Sequence, residues 1–95
     1  MSRFDQAKTL MQVKKIQKQL EKEVITIEKG DGAVSVEITG EQKIKKIHIS
    51  EDAVSDIEQL EMWLEEAVKE AISSSQKIAA EKMQPMMGAL GDLGL

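Results

Sequence analysis

Apolar and polar residues alternate between positions 24 and 49, and this two-residue period restricts the middle of the chain to β-strands. Two glycine-containing segments, Gly30-Asp31-Gly32 and Gly40-Glu41, interrupt the alternation and supply the permissive backbone of tight turns. The alternating apolar residues therefore fall into three groups, which are Ile25 and Ile27; Val34, Val36 and Ile38; and Ile44, Ile47 and Ile49. The pattern predicts a three-stranded antiparallel meander.

The third strand departs from strict alternation, because Ile44 and Ile47 are separated by an odd number of residues. Lys45 and Lys46 between them fit either a β-bulge or a shift of register. The sequence does not decide between the two.

Helical sequence precedes the meander. Residues 2–22 contain no Gly or Pro and are rich in Lys, Gln, Leu and Met, which predicts a helix of about five to six turns. Its apolar residues form two clusters on roughly opposite sides, namely Phe4, Ala7 and Met11, and Val13, Ile16 and Leu20. We expect the two clusters to pack against different surfaces.

A second, longer helix follows the meander. Ser55-Asp56-Ile57-Glu58 matches a capping box, and we expect Pro85 to end the helix within a residue or two. The apolar stripe of this helix is coherent, running through Ile57, Leu60, Leu64, Ala67, Val68, Ala71, Ile78, Ala79 and Met83. The fold class is thus α+β, in the order helix, three-stranded antiparallel meander, long helix.

Dimerisation is expected, because three strands cannot cover a helix of about 40 Å. With Phe4 and Trp63 as the only aromatic residues, the core of a single protomer is also small. A ridge of small residues, Ala67, Ala71, Ser75 and Ala79, packs either on another protomer or on the chain's own sheet. These two possibilities are equally compatible with the sequence.

We expect one domain over residues 1–87, followed by a flexible Gly-rich tail over residues 88–95. It has no cysteine and a single histidine, so we expect no disulfide, metal or cofactor. The first residues lack the apolar stretch of a signal peptide, and no run is long enough to span a bilayer. A soluble, cytoplasmic protein is expected.

The net charge of −4 conceals two oppositely charged segments. Residues 1–22 carry six basic and two acidic side chains, whereas residues 51–72 carry one basic and eight acidic side chains. A polyanion would therefore be bound by the first helix and repelled by the start of the second.

Several segments resemble the YbaB/EbfC family of bacterial nucleoid-associated proteins. Residues 11–20, MQVKKIQKQL, look like the family's Gln- and Lys-rich first helix, and residues 30–36, GDGAVSV, look like its glycine hairpin. Residues 40–44, GEQKI, with Ile47 and Ile49, are similar to its third strand, and Leu60, Leu64, Ala67, Glu70 and Ala71 match its last helix. The acidic segment 51–70 and the single arginine depart from the family pattern.

The resemblance implies a homodimer in which the sheets join at the centre and paired helices project as arms that take up double-stranded DNA. It also implies a place in the nucleoid, where such a protein influences nucleoid organisation or gene expression. The candidate DNA-binding residues are Arg3, Lys8, Lys14, Lys15, Lys18, Lys77 and Lys82. We expect weak binding with little sequence preference, because no base-reading element is evident.

Other functions fit less well. His48 has no nucleophile near it in sequence and Gly30-Asp31-Gly32 precedes a strand rather than a helix, so neither catalysis on a small molecule nor nucleotide binding is expected. The first helix lacks the apolar face that would hold it on a membrane. The main alternative is a protein-interaction module for a partner in DNA replication or recombination, which the acidic segment would bind.

Overall fold

The computed structural model describes the backbone of residues 3–92 and the side chains of residues 6–85. A helix, α1 (Arg3–Lys22), precedes three strands, β1 (Val24–Lys29), β2 (Val34–Thr39) and β3 (Ile44–Ile49). A short 3-10 helix (Glu51–Ser55) then leads into the long helix α2 (Ile57–Asp92). The expected element order is confirmed.

The three strands form an antiparallel sheet in the order β1-β2-β3. Gly30, Asp31 and Gly32 all have positive φ in the first turn, as the sequence predicted for a tight hairpin. Between β2 and β3 the register shifts after Glu37, which pairs with Lys46, whereas Ile38 pairs with Ile44. Lys45 is therefore the extra residue of the irregularity expected there.

One face of the sheet packs on α2 and forms the core. Val34, Val36 and Ile38 of β2 are fully buried against Ala67 and Ala71 of α2. Ile25 and Ile27 of β1 and several α2 side chains, among them Leu60, Trp63, Leu64 and Val68, pack around this centre. Ala67, Ala71 and Ser75 of the small-residue ridge thus pack on the chain's own sheet, whereas Ala79 lies farther along α2.

The end of α1 is fixed to the second turn of the meander. The Gly40 N–H donates to the carbonyl oxygens of Leu20 and Glu23, each at 2.9 Å. A Cβ atom on Gly40 would lie 2.9 Å from the Leu20 side chain, so this approach requires glycine. The Ser75 hydroxyl donates to the Thr39 carbonyl at 2.7 Å and joins α2 to the same corner of the sheet.

Two expectations about α2 were wrong. Ser55 belongs to the 3-10 helix and donates to the Asp52 carbonyl, so the capping residue of α2 is Asp56, whose Oδ1 accepts from the Gln59 N–H at 3.2 Å. The helix also continues through Pro85 to Asp92. Proline removes one helical hydrogen bond and its ring crowds the carbonyl group four residues earlier, which can kink a helix without ending it.

The expected tail at 88–95 is accordingly helical as far as Asp92, and residues 93–95 lie outside the described residues. The division into a domain over 1–87 and a tail stays a prediction. The molecule is elongated, with extents of 62 × 19 × 15 Å, because α2 continues well beyond the sheet.

Candidate nucleic-acid interface

One side of α1 faces the protein interior. Val13 and Ile16 are half-buried and Leu20 is buried, and α1 contacts both α2 and β2. Beyond the end of the sheet, α2 has its own half-buried side chains, Ile78, Ala79 and Met83. We therefore place α1 along the C-terminal half of α2, so that the two helices form a projecting arm.

The opposite side of α1 carries its lysines. At about 100° per residue, these lysines fall within an arc of roughly 120° whose centre lies opposite Val13, Ile16 and Leu20. All of them are exposed, and we call this surface the basic face, formed by Lys8, Lys14, Lys15, Lys18 and Lys22. Within residues 6–85 no salt bridge joins these side chains to a carboxylate.

Four of the predicted DNA-binding residues, Lys8, Lys14, Lys15 and Lys18, are therefore brought together on one surface. Lys22 was not among the predicted residues, although its position seven residues after Lys15 places it in the same row. Arg3 lies in the first turn of α1, and its side chain is outside the described part.

The two predicted lysines of α2 are placed differently. Lys82 is exposed. It lies four residues after Ile78 and three residues after Ala79, and this spacing puts it near the side of α2 that faces α1. Lys77 lies two residues from both Ser75 and Ala79, and thus on the opposite side of α2. The structure does not bring Lys77 together with the basic face.

The acidic residues occupy the other end of the molecule, on the 3-10 helix and the first half of α2. Two are paired, since Glu65 accepts from Lys69 at 2.8 Å and Glu70 pairs with Lys29 of β1. The hydrogen bond from Lys69 lowers the pKa of Glu65, and the bond to Glu70 raises the pKa of Lys29. Glu58, Glu61 and Glu66 are exposed.

The described part of the chain offers no metal site and no membrane-spanning helix. No group of three or more His, Asp or Glu side chains there can hold a metal ion. His48 is on the outer face of the sheet, directly opposite Ser35 of β2. Among the helices described, none is long and apolar enough to cross a membrane.

Comparisons with known proteins bear on the family of this chain. The model of the YbaB/EbfC DNA-binding family matches residues 1–90. A nucleoid-associated protein of Chloroflexus aurantiacus is 33% identical over 84 residues, covering 86% of this chain and 84% of that protein. A nucleoid-associated protein of Chlorobium phaeobacteroides is 34% identical over 90 residues, covering 95% of this chain and 79% of that protein.

A solved structure has the same fold. The crystal structure of an uncharacterized protein from Helicobacter pylori superposes with a TM-score of 0.81 at 16% identity, covering 85% of this chain and 87% of that one.

Proposed function

Since this chain belongs to the YbaB/EbfC DNA-binding family, we propose that it binds double-stranded DNA as a homodimer and acts in the cytoplasmic nucleoid. Binding rather than catalysis is its activity, and it influences nucleoid organisation or gene expression. The observation that carries the proposal is the basic face of α1, where five exposed lysines share one side of a helix. Such a surface neutralises phosphates without reading sequence, so little sequence preference follows.

The partner for the dimer is a second copy of the chain. In an antiparallel pair, residues directly opposite each other share a face, so Ile44, Ile47 and Ile49 of β3 lie on the same side as the core residues of β2. Because α2 packs chiefly on β1 and β2, these isoleucines remain 46%, 43% and 38% exposed.

An apolar groove continues this surface on α2, where Leu64 and Val68 lie between Glu61, Glu65 and Lys69. Contiguous apolar surface of this kind on a small protein is typical of an interface. We propose that the second copy covers it, which joins the sheets at the centre of the dimer and leaves both arms projecting.

The charge distribution supports contact between DNA and the arms. The acidic residues lie on the 3-10 helix and the first half of α2, away from the arm, and they repel phosphates. We therefore propose that DNA contacts the arms through the basic face, with Arg3 and Lys82 close enough to add to it. Lys77 contacts DNA only if the duplex also reaches the far side of α2.

Fluorescence anisotropy with a duplex of about 30 base pairs, measured at several salt concentrations, tests the proposal, because each neutralised phosphate contributes about −0.9 to the log-log slope of the binding constant. The wild-type dimer is expected to bind with a steep negative slope. The triple variant Lys14→Glu, Lys15→Glu, Lys18→Glu should lose binding.

A control variant reverses two charges away from both the arm and the proposed dimer surface, at Lys43 and Lys46. It should bind nearly as well as wild type. Absence of wild-type binding even at low salt would refute DNA binding and favour the protein-interaction module, with Glu58, Glu61 and Glu66 as the residues to reverse next.

A further inference from the structure

Met11 lies in the middle of the basic face. Counting around the helix at about 100° per residue, Lys8 and Lys15 fall on one side of Met11 and Lys14 and Lys18 on the other. Its side chain is 71% exposed, although Met11 is a large apolar residue. A lysine row therefore flanks this apolar side chain on each side.

This arrangement matches a helix lying in the major groove of DNA. An α-helix with its side chains is about 10–12 Å across, and the major groove of B-DNA is about 12 Å wide. A helix in the groove directs its two flanking rows at the phosphates of the two strands and its middle row at the base edges. On α1 the flanking rows are the lysines and the middle row contains Met11.

The chemistry of the middle row decides what it can contact. A thioether side chain has no hydrogen-bond donor and is a weak acceptor, so it cannot distinguish bases by a bidentate hydrogen bond. The one apolar group that bases display in the major groove is the C5-methyl group of thymine.

We propose that Met11 contacts thymine methyl groups in the major groove and gives the protein a preference for A·T-rich duplexes. The inference rests on the proposed function, because it requires that the basic face binds DNA. It goes beyond that function by assigning a side chain that touches bases rather than phosphates.

The test compares two A·T-rich duplexes that differ only in that one contains deoxyuridine in place of thymidine and so lacks the methyl groups. Wild type should bind the thymine duplex roughly fourfold more tightly per methyl group buried, the effect expected for removing one such group from water. Met11→Gln should bind both duplexes equally and keep the wild-type salt slope, because its lysines are intact.

Two further variants serve as controls. Met62→Gln changes a methionine that is 56% exposed on α2, outside the basic face, and should keep the wild-type preference. Met11→Leu retains an apolar side chain and should restore the preference that Met11→Gln loses.

Each outcome has a definite meaning. Equal wild-type binding to both duplexes, or a thymine preference that survives in Met11→Gln, would overturn the proposal while leaving phosphate binding intact. An equal loss of affinity for both duplexes in Met11→Gln would overturn it as well, since Met11 would then contact the backbone. Failure of wild type to bind either duplex at low salt would overturn the proposed function itself.

Discussion

Gly30 shows how a single position supports both the turn and the core. Its φ is +64°, a conformation that residues with a Cβ adopt only at a cost. A Cβ atom built on it would lie 2.7 Å from the ring of Trp63, so the hairpin turn rests directly on the largest side chain of α2. The sequence predicted the turn but not the ring beneath it, because Gly30 and Trp63 are far apart along the chain.

Gly30→Ala should therefore destabilise the protein by more than the backbone cost of about 1–2 kcal/mol. Gly32→Ala is the matched control, since Gly32 also has positive φ, at +89°, but no atom lies within 4 Å of a Cβ built there. Urea denaturation measures both. Equal losses for the two variants would show that contact with Trp63 is unimportant.

Ser75 makes a buried hydrogen bond that the sequence could not reveal. It belongs to the small-residue ridge, yet its hydroxyl is the donor that joins α2 to Thr39 across 36 residues. Ser75→Ala should lower the free energy of unfolding by about 1 kcal/mol, the net worth of such a bond. Ser73→Ala, at an exposed position of the same helix, should change the free energy by less than about 0.5 kcal/mol. A Ser75→Ala variant as stable as wild type would contradict this role.

Among the elements, α2 differs most from the expectation drawn from sequence. Ser55-Asp56-Ile57-Glu58 offers two capping residues one position apart, and the pattern alone favoured Ser55. The 3-10 helix before α2 uses the Ser55 hydroxyl, which leaves Asp56 as the cap. A short helix of this kind has little periodicity of its own and therefore could not be predicted from the sequence.

Asp56→Ala should accordingly cost about 1 kcal/mol of stability, the usual loss on removing a helix cap. Ser55→Ala should cost less, since the bond that it removes is exposed and lies outside α2. Thermal unfolding of both variants separates the two assignments. A larger loss of stability for Ser55→Ala than for Asp56→Ala would show that Ser55 is the capping residue of α2.

The strands and α1 were predicted well because their signals are local. A two-residue period with glycine turns defines the meander, and a Gly- and Pro-free segment defines α1. Part of the candidate site could be predicted from the sequence for the same reason, since lysines three, four and seven residues apart share a helix face. Lys77 could not be placed from sequence, because its side of the arm depends on which face of α2 meets α1.

At the scale of the whole molecule, the uncovered apolar surface and the basic face lie in different parts of the protein. The isoleucines of β3 and the α2 groove lie in the sheet-containing half, whereas the basic face lies on the arm. A dimer formed through this apolar surface would carry two basic faces and would leave both of them uncovered. This separation explains how a protein of net charge −4 can bind a polyanion.

If the proposed dimer is right, Ile47→Glu should yield monomers or prevent stable folding, because it places a charge in the apolar surface proposed as the interface. His48→Glu is the control, since His48 is the next residue of β3 and lies on the other face of the sheet. It should remain dimeric in sedimentation equilibrium. Wild-type protein that sediments as a monomer would contradict the dimer, and a dimeric, folded Ile47→Glu would exclude this surface as the interface.

The most direct test of where DNA binds is a titration of isotope-labelled protein with a short duplex, followed by the amide signals in NMR spectra. Binding at the basic face predicts that signals from Lys8 to Lys22 of α1 shift progressively and that signals from the acidic segment 51–70 stay nearly unchanged. Shifts concentrated in segment 51–70 or on the outer face of the sheet, with α1 unaffected, would contradict it.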